Sequence, residues 1–374
     1  MTVDVVVALV SDTWTDAVRR GFYSTADQTL VTLRASPEVR TVLVADHPRG
    51  VKSQVYRRLK GDRPAPRGPG LRGVRPLSLL TTPPVSDDGL RRRYRAYDLQ
   101  TRLAARAHGL QEPALVTFNL WHAAYLGNGW GGQRVFYAQD DESAIPDHAP
   151  YRDLTLRAYQ RIARSGMTVV AVSQVLLDRI DPRGPGLVIP NGVDPVLWSP
   201  RPETRTGRPR PTALYAGTVD SRLDLSAFEA VAQAGFDVRV AGPVVDVAVK
   251  GRLEAAEGVT LLGSRTRQEI VRLAQDSDVC LLAHHRTPLT EAMSPLKLYE
   301  YLASGTPVVA TRLPGMDVDS PQILWVEPGG DHAAAALRAV ARERQPETAR
   351  RACVEELSWR RRHLPLLELL GARA

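Results

Sequence analysis

Cysteine is almost missing from this 374-residue chain. Cys280 and Cys353 are the only two, so no disulfide framework holds the fold together. Cys280 sits in the run Asp278–Ala283 and reads as a small buried hydrophobe. Long apolar runs are missing too; nothing approaches the ~18 residues a membrane-spanning helix needs. The apolar start Val5–Val10 is too short for the core of a secretory signal, and no basic residue precedes it. A cytoplasmic protein is the expectation. Lysine is scarce: only four of the 49 basic residues are Lys52, Lys60, Lys250 and Lys297. Such a skew points to a GC-rich genome rather than to selection for phosphate contacts, so the formal charge of +8 does not make the chain a nucleic-acid binder. No C-x-x-C, H-E-x-x-H, Walker P-loop or G-x-S-x-G occurs.

What is present is ordinary globular material, 43% hydrophobic and 24% charged, enough for two cores. Short β-branched runs alternate with longer amphipathic stretches from end to end. Strands are predicted at Val3–Val10, Arg40–Ala45, Ala114–Asn119, Arg134–Ala138 and Met167–Ser173, then at Thr212–Ala216, Asp237–Ala241, Val259–Leu262, Val279–Ala283, Pro307–Thr311 and Ile323–Val326. Helices are predicted between them, among them Asp16–Leu33, Asp87–His108 and Pro295–Ala303. Strands separated by long crossovers pair in parallel with helices on both faces, so the expectation is two doubly wound, Rossmann-like α/β domains with a cleft between them. Pro/Gly/Arg-rich stretches at Asp181–Gly186 and 199–211 suggest domains at 1–182 and 187–354, with a C-terminal helix at 355–374 packing back on the first. Leu59–Pro76 reads as a loop.

Between Arg49 and Leu110 fifteen basic residues face four acidic ones. That excess suits an anionic acceptor or peripheral contact with the inner face of a membrane through Arg49–Arg106; a merely solvated face is the alternative. The Gly127–Gly132 stretch matches G-x-G-x-x-G but precedes a strand rather than following one, which is the wrong context for a dinucleotide. It reads as a loop lining the cleft. Asp317 and Asp319 form a D-x-D without a supporting third ligand, and His284 and His285, adjacent on an extended chain, point apart and so do not share a metal, which leaves one of them able to face the cleft. No metal is expected. Trp14, Trp121 and Trp130 fall in predicted loops of the first half, where they either pack or stack on sugar rings.

Ser294–Thr311 reads SPLKLYEYLASGTPVVAT. Ser294 is a candidate N-cap, Pro295 suits the first helical position, and Gly305 suits a left-handed C-cap. Lys297 and Glu300, three apart, share a helix face. Backbone N–H groups at Met293–Leu296 and the positive end of the helix form an anion site beside Lys297, with Glu300 one turn on to accept from sugar hydroxyls. A capped helix with an i, i+3 ion pair is the plainer reading of the same residues.

This stretch resembles the donor-site signature of bacterial glycosyltransferases with the GT-B fold, in the broad family 4-like (group 1) set. Val188–Asp194 (VIPNGVD), Leu214–Asp224 (LYAGTVDSRLD), Val240–Pro243 (VAGP) and Leu261–Gly263 (LLG) are similar to other pieces of that family, in the same order. The resemblance is strong from Val169 to Thr311 and loose before that. It implies a hexosyltransferase that moves a sugar from a nucleotide-diphosphate donor to a hydroxyl acceptor (a cell-envelope or lipid-linked glycan, or a natural product) without cofactor or metal. Glu300 matches the final Glu of the family's E-x7-E motif and would bind the ribose. Lys297 and Arg222 would stabilise the leaving diphosphate. Gly217, Thr218, Gly242, Met293, Ser294 and Leu298 would complete the donor site. The first Glu of the motif falls on Ala292, and Glu291 stands one residue early. Trp14, Trp121 and Asp140 would lie on the acceptor side. In retaining chemistry the departing phosphate oxygen takes the acceptor proton; if the reaction inverts, Asp140, Asp141 or a residue near Asp12–Asp16 is the base. Alternatives are an epimerase or phosphorylase on the same fold, or an inactive sugar-nucleotide-binding protein.

Overall fold

The computed structural model describes residues 2–62, 66–80, 82–199, 209–342 and 344–372. The chain divides into two compact units, residues 1–190 with 363–374, and residues 191–362.

The first unit is built on a seven-stranded parallel sheet: β1 (Val3–Ala8), β2 (Val39–Ala45), β3 (Leu71–Val74), β4 (Ala114–Thr117), β5 (Arg134–Ala138), β6 (Thr168–Ala171) and β7 (Gly186–Val188). Their order across the sheet is β3-β2-β1-β4-β5-β6-β7. The chain therefore winds outward from β1 on one side and then on the other, which opens a crevice at the carboxyl ends of β1 and β4. β1 and its neighbours are buried on both faces, as their unbroken Val/Leu/Ala runs require.

Three expectations change here. The helix expected over Asp16–Leu33 is two helices, Trp14–Arg19 and Thr25–Ala35. Gly21 and Phe22 between them have positive φ (70° and 54°), which no continuous helix allows, and Ser24 starts the second helix with a capping box. The stretch Leu59–Pro76 is not all loop, because Leu71–Val74 pairs along β2 as the edge strand. Asp181–Gly186 is not the boundary: Asp181 ends the helix Gln174–Ile180 in a left-handed turn, and the chain then adds β7 to the first sheet. The division falls after Pro190. Of the other expected linker, residues 200–208 lie outside the described part.

The second unit repeats the plan with six parallel strands: β8 (Thr212–Ala216), β9 (Asp237–Ala241), β10 (Val259–Gly263), β11 (Val279–Leu282), β12 (Val308–Thr311) and β13 (Ile323–Val326), in the order β10-β9-β8-β11-β12-β13. Side chains alternate between two cores. Ala213, Tyr215, Val279 and Leu281 face the helices Leu225–Gln233 and His332–Val340; Leu214, Cys280 and Leu282 face Arg267–Asp276 and Leu296–Ser304. Cys280 is fully buried. The tail is three short helices, Glu347–Glu356, Trp359–Arg362 and Leu364–Leu369, and only the last belongs to the first unit. There His363 is buried between Thr29 and Thr32, with its Nδ1 2.8 Å from Thr32 Oγ1.

Candidate functional site

In the second unit the helix Leu296–Ser304 buries Leu298, Tyr301 and Leu302 (i, i+3, i+4) against the sheet. The Tyr301 hydroxyl accepts the Ala216 N–H at 2.7 Å, which pins the helix to the carboxyl end of β8. Gly305, at φ 73°, closes the helix as expected. The start differs from expectation. Pro295, not Ser294, occupies the N-cap, and no side chain caps the helix. The Ser294 hydroxyl is instead 2.8 Å from the Tyr299 hydroxyl, and its carbonyl accepts from Asn191 Nδ2 at 2.5 Å. Nor are the N–H groups of this turn all open, since Met293 N–H bonds Thr290 and Leu298 N–H bonds Pro295.

Pinning the helix there brings Lys297 to the loop after β8. Its Nζ donates to the Tyr215 hydroxyl at 2.5 Å and lies 4.3 Å from that ring's centroid. Tyr215 in turn donates to the Thr218 carbonyl at 2.8 Å. A Cβ on Gly217 would stand 2.3 Å from Lys297 Nζ, and one on Gly242 would stand 1.9 Å from the Gly217 carbonyl oxygen. Both glycines have positive φ, 157° and 147°. The loops after β8 and β9 thus touch backbone to backbone beside the ammonium, next to the point between β8 and β11 where the strand order reverses and ligands of such sheets bind. Arg222 joins the group: its guanidinium chelates Asp220 (2.6 and 2.9 Å) and its Nη1 lies 3.8 Å from Met293 Sδ.

Enclosure of the ammonium, followed by the Arg222 charge, lowers the Lys297 pKa to about 7; Asp220 and Glu300 offset part of this. Burial raises the Asp220 pKa, but the Arg222 hydrogen bonds outweigh it and leave the carboxyl below its usual range. His284, just past β11, is fully enclosed; burial, then Lys297 and Arg222, keeps it neutral, and its Nδ1 has no hydrogen-bond partner. Two cations, Lys297 and Arg222, thus meet two carboxylates, Asp220 and Glu300; Arg222 is engaged by Asp220, whereas the hydrogen-bond partner of Lys297 is a neutral hydroxyl, which leaves the ammonium able to meet an anion.

The structure thus brings Gly217, Thr218, Arg222, Gly242, Met293 and Lys297 together, with Glu300 buried one turn along the helix. Leu298 has its side chain in the core and its N–H engaged, so it offers the site no free group. Glu291 is ion-paired with Arg286 at 2.6 Å. Sequence reasoning gave Tyr215 and Asp220 no role of their own within Leu214–Asp224 and singled out His284 only as one of a histidine pair; tertiary proximity brings all three to Lys297.

In the first unit the crevice at β1 and β4 holds a cavity of about 170 Å³, lined by Asp12, Arg20, Phe118, Phe136, Asp140 and Glu142 among others. Asp140 is exposed there. Asp141 points away into the protein, bonded to Arg179, to Ser143 Oγ (2.6 Å) and to the Tyr159 hydroxyl (3.2 Å). Trp14, the first residue of the helix Trp14–Arg19, is half-buried edge-on to Phe22 at 5.2 Å; Trp121 leans on Tyr151 at 6.2 Å. The Gly127–Gly132 loop enters β5 at its amino end, the opposite edge of the sheet, and Trp130 is tied to the buried Asp98 at 2.8 Å. It does not line the crevice of its own unit.

Residues 210–342 match the family model of glycosyl transferases group 1. A 70-residue stretch is 31% identical to the protein assigned as the teichuronic acid biosynthesis glycosyltransferase TuaH of Bacillus subtilis (strain 168), covering 19% of this chain and 18% of that one. The chain thus spans about a fifth of that relative's length. Among solved structures, sucrose-phosphate synthase from Thermosynechococcus elongatus superposes with a TM-score of 0.69 at 16% identity over 98% of both chains. A UDP-forming α,α-trehalose-phosphate synthase from Burkholderia xenovorans, solved with glucose-6-phosphate, gives 0.66 at 13% identity over 98% of this chain and 100% of that one. The chain has the GT-B fold, and its second unit carries the glycosyl transferases group 1 match over residues 210–342.

Proposed function

We propose that this protein is a glycosyltransferase that binds a nucleotide-diphosphate sugar in its second unit and transfers the sugar to a hydroxyl acceptor held by the first. One observation carries the reading: Lys297 meets the glycine loops after β8 and β9, with Arg222 alongside, inside the region that matches the group 1 family. Charge builds on the departing diphosphate in the transition state, and fixed cations there lower the barrier without reorganising. Lys297 and Arg222 would supply that charge, so the reaction is read as independent of a metal. Glu300 would accept from the ribose hydroxyls.

The acceptor hydroxyl would attack the anomeric carbon as the bond to the diphosphate breaks. Its proton would go to the departing phosphate oxygen, with retention of configuration. If the reaction inverts instead, Asp141 is poorly placed as the base, because it is bonded to Arg179, Ser143 and Tyr159, and Asp140 or Asp12 in the crevice would take that role. The acceptor is read as a cell-envelope or lipid-linked glycan or a natural product, taken up at the β1/β4 crevice near Asp140.

The test is a thermal-shift panel of UDP, GDP, dTDP and ADP, followed by product analysis with the matching sugar nucleotide and chelator present. A ligand at ~100 times its Kd adds about 2.7 kcal/mol. Stabilisation by one nucleotide, lost in Lys297→Ala, with glycoside formed only when acceptor is present, supports the reading. An isomerised sugar nucleotide formed without acceptor would replace it with an epimerase, and sugar 1-phosphate formed from a glycoside and added inorganic phosphate would replace it with a phosphorylase.

A further inference from the structure

The helix Val51–Leu59 (VKSQVYRRL) buries none of its residues. Val51, Val55 and Leu59 recur at i, i+4 and i+8, so they form one apolar stripe, and Leu59 is 84% exposed. Tyr56 stands beside the stripe, 60% exposed, with the Lys60 ammonium 5.4 Å over its ring. A globular helix normally turns such a stripe inward; this one has no core to meet.

A second apolar segment is held next to it. Arg49–Gly50 pairs with Leu77–Ser78, and Gln54 Nε2 donates to the Pro76 carbonyl at 3.2 Å. Gln100 clamps Leu77 from the helix Asp87–Ala107 through two 2.9 Å bonds, and Arg93 holds the carbonyls of Leu80 and Pro48. This backbone scaffold presents Leu77, Leu79 and Leu80 to solvent, with Leu79 wholly exposed. Large apolar side chains fixed outward on two adjoining segments are an interaction surface rather than scattered surface residues.

Charge identifies the partner. Residues 49–60 contain Arg49, Lys52, Arg57, Arg58 and Lys60, and residues 66–80 contain Arg67, Arg72 and Arg75; neither segment contains an acidic residue. Arg57 and Arg75 are tied to Asp16 and Asp46, but Lys52, Arg58 and Lys60 are exposed around the apolar stripe. Apolar side chains that can sink into an acyl boundary, ringed by cations on long stems, match an anionic bilayer surface. A protein partner of ordinary composition would leave those cations unmatched.

We infer that the helix Val51–Leu59 and the segment Leu77–Leu80 dock this protein on an anionic lipid bilayer, with Val55, Leu59, Leu79 and Leu80 entering the interface and Lys52, Arg58 and Lys60 meeting the headgroups. This goes beyond the donor-site reading and does not rest on it.

Vesicle flotation of the full chain at about 150 mM salt tests it. Vesicles containing about one third phosphatidylglycerol should carry the protein up, and pure phosphatidylcholine should not. Lys52→Glu/Arg58→Glu/Lys60→Glu should lower the bound fraction more than about tenfold. Val55→Ser/Leu59→Ser/Leu79→Ser should lower it as strongly at the same net charge. Equal binding by the serine variant overturns the inference, as does no flotation of the wild type. A concentration-dependent dimer that the serine variant abolishes, without vesicle binding, assigns the face to a second copy instead. All these side chains are exposed, so thermal midpoints and the nucleotide panel should be unchanged, and failure of either reading leaves the other standing.

Discussion

Lys297 donates to the Tyr215 hydroxyl at 2.5 Å while lying 4.3 Å from the centre of the same ring. An ammonium this enclosed, with a neutral hydroxyl as its partner, has been left free to meet an incoming anion. Lys297→Ala should lower kcat/KM by about 10²–10³ if the ammonium faces charge that develops on the leaving group. Tyr215→Phe keeps the ring and removes only the hydroxyl, so its loss should be smaller, about tenfold. Steady-state kinetics of both variants, with circular dichroism to confirm folding, decide the point.

The same enclosure makes donor binding pH-dependent. The Lys297 pKa is lowered to about 7, so above that pH the free protein loses the charge that an anion needs. Nucleotide affinity should fall as pH rises through 7, and binding at pH 8 should take up a proton. Titration calorimetry in buffers of different ionisation enthalpy reads that proton directly, and Lys297→Met should abolish the uptake.

Gly242 is a steric requirement. An added Cβ would sit 1.9 Å from the Gly217 carbonyl at a φ of 147°. Gly242→Ala should destabilise the second unit by about 1–3 kcal/mol and weaken nucleotide binding, because the loop after β8 must retreat. Denaturant unfolding alongside the nucleotide panel separates the two effects.

Asp141 should behave as a structural residue. Asp141→Asn removes the charge that faces Arg179, whose side chain is itself 26% exposed, and should cost about 1–3 kcal/mol. Turnover of the folded fraction should drop no more than a few fold. A loss of 10³ or more at unchanged stability would make Asp141 the base.

His363 ties stability to acid. Burial lowers its pKa to about 3 from an ordinary value near 6.5. The unfolded chain then binds a proton that the folded chain refuses between those values. Stability is fully present above pH 6.5 and declines by up to roughly 1.4 kcal/mol per pH unit below it. Urea unfolding between pH 7 and 4 should show a shallower slope for His363→Gln than for the wild type.

The sequence by itself determined the two α/β units. Runs such as TALYA and RVFYA are buried on both faces of a parallel sheet, and β5, β8, β9 and β13 span the predicted residues without change. Lys297 and Glu300 were legible because helical spacing is local, and Gly217 and Gly242 came from family likeness. What lay beyond it depends on distance in sequence. Tyr215 meets Lys297 across 82 positions, and Asp220 and His284 join them only because β8 and β11 are neighbours in the sheet. Edge strand β3 hid in a Gly/Pro-rich stretch because one row of partners on β2 is enough to hold it. The basic stretch from Arg49 showed its charge in the sequence, but its exposed apolar stripe was decided by the fold, since a helix of this pattern is expected to bury it. Periodicity reports which faces a segment can bury; only packing decides whether a core is there to receive them.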